Sequence, residues 1–96
     1  MSDILIHNGT IINEGISFRG ELLIRDELIA AVGKPGQIRT TSGTSKIDAS
    51  GHFVIPGVID DHVHFRDPGL TSKGDIHSES IAAAAGGITS FMDMPN

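Results

Sequence analysis

The chain has 96 residues, 39% of them hydrophobic, with four Phe but no Trp, Tyr or Cys, and its 12 acidic and 7 basic side chains leave a formal charge of −5. This size allows one small domain or part of a larger one, with an aliphatic core and too much apolar content for disorder. The absence of cysteine excludes disulfides and thiolate metal sites, and the acidic balance without a basic patch argues against nucleic acid or an anionic membrane as partner.

The opening Met1-Ser2-Asp3-Ile4 has no basic segment followed by a long apolar run, and no stretch approaches membrane-spanning length, so a soluble cytoplasmic protein is expected. The first third reads as short strands and tight turns. Ile4–His7 and Thr10–Ile12 flank Asn8-Gly9, a two-residue hairpin signal. Asn13-Glu14-Gly15 is a second turn. Glu21–Arg25 and Leu28–Val32 flank Asp26-Glu27, a further hairpin, although Glu27 would be strained in a turn needing φ > 0 at both central positions. Gly33-Lys34-Pro35-Gly36 closes the block, and residues 37–46 form a polar loop. Ile47–Ala49 and His52–Val54 flank Ser50-Gly51, which predicts another hairpin.

After Pro56-Gly57 the pattern changes. Val58-Ile59-Asp60 starts a strand running into His62 and His64. Ser72 as N-cap with Asp75 three residues on predicts a helix over 73–85, rich in alanine and stopped by Gly86-Gly87. Ile88–Met92 is the next strand. Strand, helix and strand make a βαβ unit, which requires a parallel sheet that two strands cannot close. Two readings stay open: an antiparallel β layer followed by the first βαβ of something larger, or one small α+β domain.

The chemistry lies in Asp60-Asp61-His62-Val63-His64-Phe65-Arg66-Asp67-Pro68-Gly69. In an extended strand, alternate residues share a face, so Asp60, His62 and His64 point one way. Two imidazoles about 7 Å apart at Cα can converge on one divalent ion. Asp60 would be either a third ligand or an acceptor that orients a histidine. A lone His-x-His is more often incidental than ligating, but this pair sits at the carboxyl end of a strand in a parallel unit, where ligands bind in such sheets. Arg66 shares the parity if the strand persists, and its fork suits a carboxylate; its bland alternative is a surface pair with Asp67. Asn96, beyond the matching end of the next strand, falls near the same mouth. His7, His52 and His77 read as structural or solvated, and Met92 and Met94 as packing.

These residues resemble the dihydroorotase family of the amidohydrolase superfamily. The likeness runs through the Ile-His-Asn-Gly opening, Ile55–Asp60, His62–Gly69, the Ala-rich helix with Gly86-Gly87, and Asp93-Met94-Pro95-Asn96. Hydantoinases share the His-x-His but lack the Phe-Arg-Asp-Pro-Gly continuation, and allantoinases carry Asn where this chain has Arg66. Glu27 departs from the Gly often found at its turn. The resemblance implies an α/β fold in which residues 1–54 are the N-terminal portion of a small composite β-sandwich and residues 55–96 start a (β/α)8 barrel. His62 and His64 would bind the first zinc of a binuclear Zn2+ centre, bridged by a carboxylated Lys or an Asp. Arg66 and Asn96 would hold the carboxylate of dihydroorotate or N-carbamoyl-aspartate, and Asp60 would lie behind the ligands. The general-base Asp is expected downstream, so no catalytic residue falls in this chain and the 96 residues alone would be inactive. A homo-oligomer is implied at full length. The rivals are another cyclic amidase (allantoinase or hydantoinase) and a truncated β-rich module that does no chemistry.

Overall fold

A computed structural model describes residues 2–95. The chain divides into two compact units, residues 1–56 and 57–96.

The first unit is a five-stranded sheet made of β1 (Asp3–Asn13), β2 (Ile16–Arg25), β3 (Leu28–Gly33), β4 (Ser45–Asp48) and β5 (Phe53–Val54). Strands β1, β2 and β3 form an antiparallel meander, while β4 and β5 both run parallel to β1 along its other edge. Both expected turns of the meander form. Glu14-Gly15 has φ of 52° and 78°, the left-handed pair that a tight hairpin needs. At Asp26-Glu27 only Asp26 has positive φ, 54°, so Glu27 escapes the anticipated strain.

Two predicted hairpins are absent. Asn8-Gly9 does not reverse the chain: β1 passes straight through it. Asn8 has φ of 64°, and the register jumps from Ile6↔Leu22 to Gly9↔Gly20, so His7 and Asn8 stand opposite the single residue Glu21. This is a β-bulge, which uses the same left-handed backbone as a turn. It flips the alternation: Leu5 pairs with Leu23 on one face and Ile11 with Phe18 on the other. The buried residues of this unit accordingly include Leu5, Leu23 and Ile11. Gly9 is required there, because a Cβ would come within 2.7 Å of Val54 Cγ2 and 3.1 Å of the Ala49 methyl.

Ser50-Gly51 is the second correction. It is a turn, closed by His52 N–H donating to the Ala49 carbonyl at 2.9 Å, but β4 and β5 do not pair with each other. They are two stretches of one interrupted edge strand, and the turn takes up chain opposite the β1 bulge. Ala49 N–H bonds the His7 carbonyl at 2.8 Å and Thr10 N–H bonds that of His52 at 3.1 Å. Asp48 stitches the place together by accepting from Asn8 Nδ2, Ser50 N–H and Ser50 Oγ at 3.2, 2.9 and 2.5 Å. Buried Glu21, which nothing in the pattern singles out, accepts from Ile38 N–H at 3.0 Å and ties down the polar loop.

The second unit is β6 (Val58–Val63), α1 (Ile76–Ala85) and β7 (Ile88–Asp93), with β6 and β7 parallel. The helix starts later than Ser72 predicts. A run of turns occupies 70–74, with Lys73 N–H on the Leu70 carbonyl and Gly74 N–H on that of Thr71. Asp75 is the N-cap: its carboxylate accepts from Ser78 N–H at 2.7 Å while Ser78 Oγ accepts from Asp75 N–H at 3.2 Å, a reciprocal capping box. Gly86 closes the helix and Gly87, at φ of 91°, turns the chain into β7. Gly57 admits Thr89, whose side chain occupies the place a Cβ would take.

Candidate metal centre

Strand β6 delivers the two histidines. His62 is its penultimate residue and His64 follows its end, so the strand is one residue shorter than expected. Their rings meet edge to face with centroids 5.1 Å apart, and the two Nε2 atoms lie 3.3 Å from each other. Two imidazole nitrogens bound to one tetrahedral zinc at about 2.0–2.1 Å sit roughly 3.3 Å apart. The same spacing lets one neutral ring donate to the other, and a shared cation would take the place of that proton. Both side chains are exposed and therefore accessible to an ion. The pair fits half of a zinc site. Among the described residues no cluster of three or more His, Cys, Asp or Glu converges on a common point.

Asp60 is not arranged as simple alternation implies. The pairing steps from Asp60↔Phe91 to Val63↔Asp93, so Asp61 and His62 stand opposite the single residue Met92. This bulge puts Asp60 on the face of Val63 and breaks its parity with the histidines. The Asp60 carboxylate accepts from the backbone N–H of His62 at 3.1 Å, and so supports the histidine through its main chain.

Beyond His64 the backbone leaves the extended path. Phe65 is buried, at 8% exposure, with its ring 4.5 Å from that of Phe91. Arg66 takes φ of 72°, and its carbonyl accepts Leu70 N–H at 3.0 Å. The strand therefore does not persist to Arg66, and alternation does not place its guanidinium. Nor does Arg66 pair with Asp67: among the described residues the ion pair is Arg25–Asp3, and an Asp67 oxygen lies 3.4 Å from the N–H of Ile76. Asn96 lies outside the described residues. His52 bonds the Ser50 carbonyl through Nδ1, in keeping with a structural role.

One residue of the site escaped the reading of the sequence. Asp93, the last residue of β7, accepts the Phe65 N–H at 3.0 Å, and the next residue, Met94, donates its N–H to the Val63 carbonyl at 2.7 Å. The signal was its position at the carboxyl end of the neighbouring parallel strand.

No protein-family model matches the chain. It is 50% identical over 95 residues to a protein of Syntrophotalea carbinolica named dihydroorotase, covering 97% of this chain and 22% of that protein. A dihydroorotase of Trichlorobacter lovleyi is 45% identical over 96 residues, covering 98% of this chain and 22% of its own length. Solved structures with the same fold include an L-hydantoinase (dihydropyrimidinase) from Arthrobacter aurescens, with a TM-score of 0.84 and 34% identity over 99% of this chain and 21% of that one. The chain thus spans about a fifth of the length of the curated relatives it matches.

Proposed function

On the premise that this chain is homologous with the N-terminal part of dihydroorotases, within the amidohydrolase superfamily, we propose that it forms the opening of a zinc-dependent dihydroorotase. The reaction is the reversible cyclisation of N-carbamoyl-aspartate to dihydroorotate in pyrimidine biosynthesis. The observation that supports the metal-dependent reading is the 3.3 Å approach of the His62 and His64 Nε2 atoms at the carboxyl end of β6, and the likeness to proteins named dihydroorotase favours the substrate.

In this reading β6, α1 and β7 begin a (β/α)8 barrel, a fold of about 250 residues that places its site at the carboxyl ends of the strands. The exposed apolar side chains of the unit, Ile59 at 70% and Ile81 at 58%, fit a sheet and helix that later barrel elements cover. His62 and His64 hold the first zinc of a binuclear centre. Zinc, when bound, would lower the pKa of water and polarise the ring amide carbonyl. Arg66, at the left-handed corner after the histidines, meets the substrate carboxylate as a bidentate donor, together with Asn96. Asp60 and Asp93 hold the backbone on either side of the pair. The general base and remaining ligands come from polypeptide outside these residues. No described helix is long and apolar enough to cross a membrane; we assign the enzyme to the cytoplasm, as a homo-oligomer.

The hydantoinase structure at 34% identity favours a second reading, another cyclic amidase. Assay of the protein at its natural length on dihydroorotate, hydantoin and allantoin separates them. Chelator-sensitive ring opening of dihydroorotate is expected to dominate; a preference for hydantoin or allantoin would overturn the assignment.

A further inference from the structure

We propose that Asp93 is a positioning residue for His64. The inference rests on the reading of His62 and His64 as metal ligands. The β6–β7 register ends at Val63↔Asp93, and beyond it β7 presents no backbone partner in register to the chain that carries His64. The Asp93 side chain takes over. Its Oδ1 accepts the Phe65 N–H at 3.0 Å, while Met94 N–H bonds the Val63 carbonyl at 2.7 Å. His64 is therefore flanked by contacts from two consecutive residues, Asp93 at the end of β7 and Met94 just beyond it, although it lies outside β6. The Phe65 ring, packed on Phe91, keeps this contact partly shielded from water. One residue further on, Arg66 turns left-handed and the chain departs. Without the carboxylate, the Phe65–Phe91 ring packing would be left to hold the segment from His64 to Arg66 against β7, and it does not fix the main chain at Phe65. The His64 ring would then lose the geometry that sets its nitrogen 3.3 Å from that of His62.

The oxygen at this position matters as an acceptor for a backbone N–H, so its charge is secondary. In the protein at its natural length, zinc affinity is measured by competition with a chromogenic chelator, and thermal melting of the zinc-free protein reports on the fold. Asp93→Ala is expected to weaken zinc binding roughly 10- to 100-fold, the usual scale for groups that orient ligands. Asp93→Asn, which keeps an oxygen in place and the same shape, is expected to stay within about threefold of the parent. His64→Ala serves as the reference for loss of a ligand. If His64→Ala weakens zinc but Asp93→Ala lowers only the melting temperature, the positioning role fails while the metal reading stands. If Asp93→Asn melts like the parent yet loses zinc as the Ala variant does, the backbone-acceptor account is wrong. If His64→Ala binds zinc unchanged, the metal reading fails and takes this proposal with it.

Discussion

His62 and His64 are exposed, adjacent in space and 3.3 Å apart at Nε2, so each is expected to act as a ligand. In the protein at its natural length, His62→Ala should remove one zinc per chain, read by metal analysis, and most of kcat. Arg66→Ala, by contrast, should leave metal content intact and raise KM for dihydroorotate by about 10- to 100-fold, the worth of a charge-assisted hydrogen bond. Unchanged kinetics in Arg66→Ala would remove its assigned role. Away from the site, Asp48 is, with Asp3 and Asp75, a carboxylate whose pKa the fold holds down. The Ser50 hydroxyl first, then the Ser50 N–H and the Asn8 amide, hold the Asp48 pKa down to about 2. A carboxyl depressed in the folded state stabilises above its unfolded pKa, about 4, and loses that contribution as pH falls towards 2. The melting temperature of the parent should therefore exceed that of Asp48→Ala at pH 5, and the gap should narrow as the pH falls towards 2. His62 and His64 were legible as residues because ligand chemistry needs particular side chains. Asp93 was not, because an acceptor for a backbone N–H has no signature until the donor is placed.

At the scale of elements, the dipeptides that favour left-handed backbone were legible as such, but what the chain does with them was not. Glu14-Gly15 and Asp26-Glu27 reverse the chain, whereas Asn8 makes a bulge and Ser50-Gly51 an excursion within an edge strand. A bulge and a tight turn use the same φ > 0, and only the partner across the sheet distinguishes them. The helix start shows a comparable slip. The sequence reads Ser72 as the N-cap with Asp75 three residues on, whereas turns over 70–74 leave Asp75, with extended φ of −137° and ψ of 172°, to do the capping. Asp75→Ala should cost about 1 kcal/mol in a denaturant titration, and Ser72→Ala less than about 0.5 kcal/mol. A larger loss for Ser72→Ala would restore the earlier start.

For the whole molecule, the described residues offer two converging imidazoles and no larger ligand cluster. A catalytic zinc usually needs three protein ligands. The 96-residue chain by itself is therefore expected to turn over no dihydroorotate, with or without added zinc, in a coupled or direct absorbance assay; zinc-dependent turnover would show that the site is complete without further polypeptide. The sequence by itself determined the strand-rich first part, the parallel strand–helix–strand that follows, and the histidine pair, because hydrophobic period, capping residues and ligand chemistry are local properties. The tertiary structure alone decided the register. It placed bulges opposite Glu21 and Met92, separated Asp60 from the face of the histidines, and brought Asp93 to the Phe65 amide. Register depends on which strand lies alongside, and one extra residue in a bulge sends every later side chain to the other face.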